Sequence, residues 1–181
     1  MCMRQLKTSE QSRKVYPPNV ELVITQSPLG TLDTGDEVTL TCKVSGGNPL
    51  AELNWDCGDG IKNNTSGNTS SYSVRFQVNK SNNGKQCNCA ATHPVPTYRP
   101  TKQHILIVYY PPSLPSLTIN PDLPLFEGNS TNLTCHVTDA GNPQSHFTWT
   151  WNDTMLHTSM QSILEIGLVA KMIMAQLSLV V

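Results

Sequence analysis

An all-β fold is predicted by three observations: an antiparallel β-sandwich in one complete domain, followed by a truncated second. Short runs of alternating polar and apolar residues are separated by Gly- and Asn-rich turns. No stretch of the first repeat carries a helical period. A block of sequence also recurs at a period of about 93 residues, as tandem domains require.

The strands follow in order from the alternation. "VELVIT" (20–25), "EVTLTCKV" (37–44), "AELNWDC" (51–57), "SYSVRFQV" (71–78), "QCNCAAT" (86–92) and "HILIVYY" (104–110) each alternate in a way that buries one face. Between the third and fourth, "KNNTSGNTS" (62–70) holds Asn, Ser, Thr and Gly in place of β-formers. It reads as a flexible connection shielded by sugar rather than a strand or a ligand-binding loop.

The repeat sets the domain limits. "LTCKV" at Cys42 and "LTCHV" at Cys135 are each followed by Gly-Asn-Pro, and a tryptophan lies at the same distance beyond, Trp55 and Trp149. Trp151 shares the face of Trp149 if both lie on one strand, so either could be the core residue. "VYPPN" and "VYYPPS" precede the two blocks, and proline pairs that cannot join a ladder mark linkers. The expected organisation is an N-terminal remnant or disordered segment (1–17), a first domain (18–110), a truncated second domain (111–166) and an aberrant tail (167–181).

Composition narrows the compartment. Charged residues are only 14% and the formal net charge is -1, so nucleic acid is not an expected partner. Six cysteines accompany seven N-x-[ST] sequons, at Asn63, Asn64, Asn68, Asn79, Asn129, Asn132 and Asn152. Together they favour a glycosylated, oxidising, extracellular or cell-surface setting. The N-terminus "MCMRQLKTSEQSRKV" lacks the apolar core of a signal peptide, and the apolar tail is interrupted by Glu165, Lys171 and Gln176. An incomplete chain is expected, reaching a membrane only through a segment missing from it.

Cys42, Trp55 and Cys89 resemble the Cys…Trp…Cys core of the immunoglobulin fold. The short interval between the cysteines looks like a C2 or I-type domain. "CAATHP" with "LIVYYPP" is similar to the last two strands of tandem cell-surface proteins such as the nectin, nephrin and hemicentin groups. The resemblance implies an inter-sheet bridge Cys42–Cys89 with Trp55 packed on it, and Trp149 as the core tryptophan of the second domain. Cys87 stands where such domains usually carry a corner tyrosine. In the resembled fold strands C and F are antiparallel neighbours. If Trp55 lies level with Cys89, Cys57 lies level with Cys87, and a second, cross-strand bridge Cys57–Cys87 is expected. Cys2 and Cys135 are left unpaired.

Other chemistries find little support. Cys57, Cys87 and Cys89 match no common zinc spacing, and His93 and His104 read as ordinary surface residues. Asp56-Cys-Gly-Asp-Gly lacks the spacing of a calcium loop. No nucleophile elbow, zincin, P-loop or dinucleotide motif occurs, so the chain is read as non-enzymatic, with no cofactor and no metal.

The second domain breaks off after Ile166, since no cysteine follows Cys135. Read from each codon's third base, Lys171–Ala175 would encode (Asn/Asp)-Asp-(Asn/His/Tyr)-Gly. The overlap of Leu179 and Val180 then permits a cysteine at the spacing of Gly84 to Cys89. A frame break is therefore expected, with loss of the last two strands and an unstable second domain. The resemblance implies a binding module for cell adhesion or cell-surface recognition, by homophilic or heterophilic protein contact and possibly glycan contact. The alternative is a secreted innate-immune protein that binds a glycan or foreign surface. A third possibility is an immunoglobulin module carried by a receptor enzyme.

Overall fold

The computed structural model describes residues 14–58, 60–65, 67–120, 128, 130–151, 154–159, 163–166 and 177–180, with backbone alone for 61–65 and from 150 onward. The chain divides into two compact units, Met1–Ile107 and Val108–Val181.

The strands up to the junction are β1 (Val23–Ser27), β2 (Leu32–Asp33), β3 (Glu37–Ser45), β4 (Glu52–Trp55), β5 (Gly60–Thr65), β6 (Thr69–Gln77), β7 (Gln86–Thr92), β8 (Thr101–Ile105) and β9 (Val108–Tyr109). One antiparallel sheet runs β1-β3-β6-β5 and a second runs β4-β7-β8. This is the ABED and CFG arrangement of the resembled fold. β3 shows why it forms: Val38, Leu40, Cys42 and Val44 are buried while Glu37, Lys43 and Ser45 face out. Across the ladder Val74 pairs with Leu40, and both are fully buried.

Two expectations are corrected here. The Asn- and Gly-rich connection is not a flexible loop throughout, because its first part is β5, paired with β6 from Gly60↔Val74 to Thr65↔Thr69. Gly60 makes this approach possible, since a Cβ there would lie 2.0 Å from the Ser73 carbonyl oxygen. The single strand expected over 104–110 is two, β8, which pairs with β7 and ends at Ile105, and β9, which begins at Val108. A 3-10 turn at Lys80–Asn82, capped by Asn79, leads into β7.

The second unit contains β10 (Ser116–Asn120), β11 (Thr131–His136), β12 (Phe147–Trp151), β13 (Thr154–Ser159), β14 (Ile163–Ile166) and β15 (Leu177–Val180). Its sheets run β10-β11-β14 and β13-β12-β15. Leu133, Cys135, Phe147 and Trp149 form the core, with Ile119 and Val137 packed against it. Beyond Ile166, where the last two strands are expected to be lost, the described residues include one further strand. The period-two sequence Leu-Ser-Leu-Val forms β15, antiparallel to β12, where β7 lies against β4 in the first unit.

The turns after β3 and β11 share one construction. Tyr16 pairs with Asn48, and Tyr110 pairs with Asn142, each as an isolated antiparallel bridge. Asn48-Pro49 and Asn142-Pro143 are both cis. The preceding Gly47 and Gly141 have φ of +88° and +76°, a region open to glycine at no steric cost.

Candidate protein-binding face

The sheet β4-β7-β8 is backed by a covalently tied floor. Trp55 lies directly across the ladder from Cys89. The structure joins Cys42 to Cys89 with Cα atoms 6.4 Å apart, and Cys57 to Cys87 with Cα atoms 5.3 Å apart. Cys42, Cys87 and Cys89 are fully buried. Trp55 is itself buried and donates its indole N–H to the Tyr72 carbonyl at 3.0 Å, which ties the two sheets together. Just beyond β4, Asp56 grips the neighbouring strand. Its carboxylate accepts the Asn88 backbone N–H at 2.8 Å and the Asn88 side-chain amide at 2.7 Å. These bonds, the backbone one foremost, hold the Asp56 carboxyl below the usual carboxylate range.

The outer face is polar. Glu52 and Asn54 of β4, Gln86, Asn88 and Thr92 of β7, and Gln103 and Ile105 of β8 alternate with the buried Leu53, Trp55, Cys87, Cys89 and Ala91. Gln103 donates to Gln86 across the strands at 2.7 Å. Ile105, 50% exposed, is a large apolar residue on this amide-rich face. An antiparallel sheet of this kind tolerates water on one side and can exchange it for a partner.

At one end of the sheet the loop after β7 is pinned. His93 is buried, its Nε2 bonded to the Pro49 carbonyl at 2.9 Å, while its Nδ1 accepts the Val95 N–H at 3.1 Å. Arg99 donates to the His93 carbonyl at 2.9 Å. His104 bonds to the Gln26 side chain at 2.7 Å, and burial holds its imidazole below the usual value. The reading of these two histidines as ordinary surface residues is therefore corrected: both are partnered within the fold. Nothing in their sequence context signals this, because Pro49 and Gln26 are remote in sequence and only the fold brings them within reach.

The remaining site residues fall as follows. Cys135 is unbridged and buried, and burial raises its thiol pKa. Trp149 is buried at 1% exposure and is a core tryptophan of the second unit. Asn68, Asn79 and Asn132 are exposed, and Asn63 and Asn64 lie on β5. Cys2, Asn129 and Asn152 lie outside the described residues. None of the seven sequons falls on β4, β7 or β8. Among the described residues no cluster of His, Cys, Asp or Glu could hold a metal ion, and no helix is long and apolar enough to cross a membrane.

No protein-family model matches the chain. Human cell adhesion molecule 3 is 32% identical over 139 residues, which is 67% of this chain and 34% of that protein. The chain thus spans about a third of the length of the curated relative it matches. The crystal structure of the mouse nectin-like molecule 4 ectodomain, Ig1 to Ig3, superposes with a TM-score of 0.61 at 24% identity, covering 85% of this chain and 55% of that one. With ABED and CFG sheets, a Cys…Trp…Cys core and these likenesses, the chain belongs to the immunoglobulin superfamily.

Proposed function

We propose that this chain is part of a non-enzymatic extracellular or cell-surface protein that works in adhesion or recognition, and that the β4-β7-β8 face makes its protein contact. The observation that carries the reading is an asymmetry. The sequons on the described part of the first unit lie on β5, on the β5–β6 turn and on the turn before β7, so glycans would cover other surfaces and leave this face bare. The face offers side-chain amides around Ile105, a composition suited to an exchangeable, wet interface. The alternative, a secreted innate-immune protein that binds a glycan, is the weaker reading because the matching relative is an adhesion molecule.

Bead aggregation tests it. Beads coated with the glycosylated chain are mixed with each other and with cultured cells. Gln103→Arg and Ile105→Arg should abolish attachment, while Lys43→Glu on the opposite sheet should not. Equal attachment by all four proteins, or none by the parent chain, would overturn the proposal.

A further inference from the structure

The two sheets of the first unit differ in width. One has four strands and the other three. β8 lies against β1, and β4 lies against β6. A side-chain bond marks each contact: His104 of β8 to Gln26 of β1, and the Trp55 indole of β4 to the Tyr72 carbonyl of β6. β5, on the far side of β6, therefore overhangs the β4 edge by one strand.

That edge turns backbone groups outward. Ala91 donates its N–H to the Pro100 carbonyl at 3.0 Å, on the β8 side. Leu53 stands opposite Ala91, so the two do not bond each other, and Leu53 points its own N–H and C=O away from β7. Neither group has a partner among the described residues. Leu53 is 4% exposed, and backbone groups so placed are normally paired. The Ala51 carbonyl, also outward, accepts the Ser70 hydroxyl of β6 at 2.6 Å, a side chain serving where a strand would. Beside this stretch lies a cavity of about 420 Å³, lined by Leu50, Ala51 and Leu53 on the β4 side and by Ser70, Ser71 and Tyr72 of β6.

The overhang selects the occupant. If two copies paired β4 with β4, each β5 would reach past the pairing line and the two would claim the same space. A lone extended segment meets no such obstacle. Charge narrows it further. The outward side chains along the edge are Glu52, Asn54 and, just past the strand, Asp56, all exposed. Arg99 lines a neighbouring cavity with Glu52, but its guanidinium donates to the His93 and Tyr98 carbonyls. Opposite charges across a ladder stabilise pairing, so cationic side chains suit the outer row of the segment. A residue directly opposite Leu53 shares its inward face, so apolar side chains suit the inner row, toward the cavity.

We propose that the open edge of β4 at Ala51–Leu53 docks an extended segment of another protein. The segment adds antiparallel to β4 as a fourth strand of its sheet, with apolar residues toward the cavity and Lys or Arg opposite Glu52 and Asp56. This contact does not depend on the one proposed for the outer face, whose tested residues, Gln103 and Ile105, lie on β8.

A blocked peptide of alternating Val and Lys, titrated into the glycosylated chain and followed by NMR, tests it. The peptide should bind, and at saturation it should slow exchange of the Leu53 amide by about tenfold or more. The same peptide N-methylated at its valines cannot donate to the edge and should bind about tenfold more weakly. Glu52→Lys should weaken the Val/Lys peptide by about threefold or more and strengthen a Val/Glu peptide. No binding of the Val/Lys peptide, an unchanged Leu53 amide, or equal binding of the N-methylated peptide would overturn the proposal. Equal affinity for the parent chain and Glu52→Lys would do so as well. A dimer in sedimentation that itself protects the Leu53 amide would put a second copy on the edge and refute the lone segment.

Discussion

Leu179 lies directly across the ladder from Trp149, as Cys89 lies across from Trp55. The second unit therefore holds a leucine where the first holds half of its inter-sheet bridge, and Cys135 sits in the core without a partner. Leu179→Cys should close a disulfide with Cys135 and stabilise the second unit by about 2–4 kcal/mol. Thiol titration and non-reducing peptide mapping would show it. One free thiol, that of Cys2, should remain after oxidation; three would mean that β15 does not occupy this slot in solution.

The first unit offers a simpler mapping experiment. Digestion without reduction should yield Cys42 joined to Cys89 and Cys57 joined to Cys87. The double variant Cys57→Ser, Cys87→Ser should keep the sheet structure and the first bridge while losing at most about 2–4 kcal/mol, measured by urea unfolding. A peptide joining Cys42 to Cys87 would contradict the pairing.

Trp55→Phe removes the indole bond to the Tyr72 carbonyl and leaves a smaller ring in the core. A loss of about 1–3 kcal/mol is expected. Unfolding followed by far-UV circular dichroism would measure it, and unchanged stability would show that this sheet-to-sheet tie is dispensable.

Asp56 gives a pH dependence with a definite sign. Its folded carboxyl pKa is lowered by the Asn88 bonds, so its contribution is present above the ordinary carboxylate value of about 3.9. The contribution is lost as pH falls through the lowered folded value. The parent chain should exceed Asp56→Asn in stability at neutral pH, and the gap should close on acidification. A gap that widened in acid would reverse the assignment.

Much of this architecture was legible because burial and repetition leave marks in a sequence. β3 alternates, and Trp149 and Cys135 stand where Trp55 and Cys42 stand in the first repeat. With Trp55 taken as level with Cys89, the antiparallel geometry of strands C and F in the resembled fold brings Cys57 level with Cys87. β5 was hidden because Gly60, Lys62, Asn63 and Asn64 are of types depleted in strands, and its pairing depends on the close approach that Gly60 permits. His93 was hidden for a different reason. Its bonds run to Pro49 and Val95, and only the folded loop brings the Pro49 carbonyl within reach. The β8–β9 break at Leu106 and Ile107 interrupts an apolar run, so hydropathy does not reveal it.

The Cys42–Cys89 bridge also shapes how the first unit would behave under tension. Pulling its ends apart loads only the chain outside the bridge, because the cystine carries the force across. The 47-residue separation of the two cysteines, roughly 160 Å of contour at about 3.4 Å per residue, then stays out of the load path. The face built on β4 and β7, along with the nested Cys57–Cys87 crosslink, lies mostly within that sheltered segment. A stretched molecule would thus pay out β1 and β8, and Gln103 and Ile105 with them, while β4 and the start of β7 remained covalently tethered.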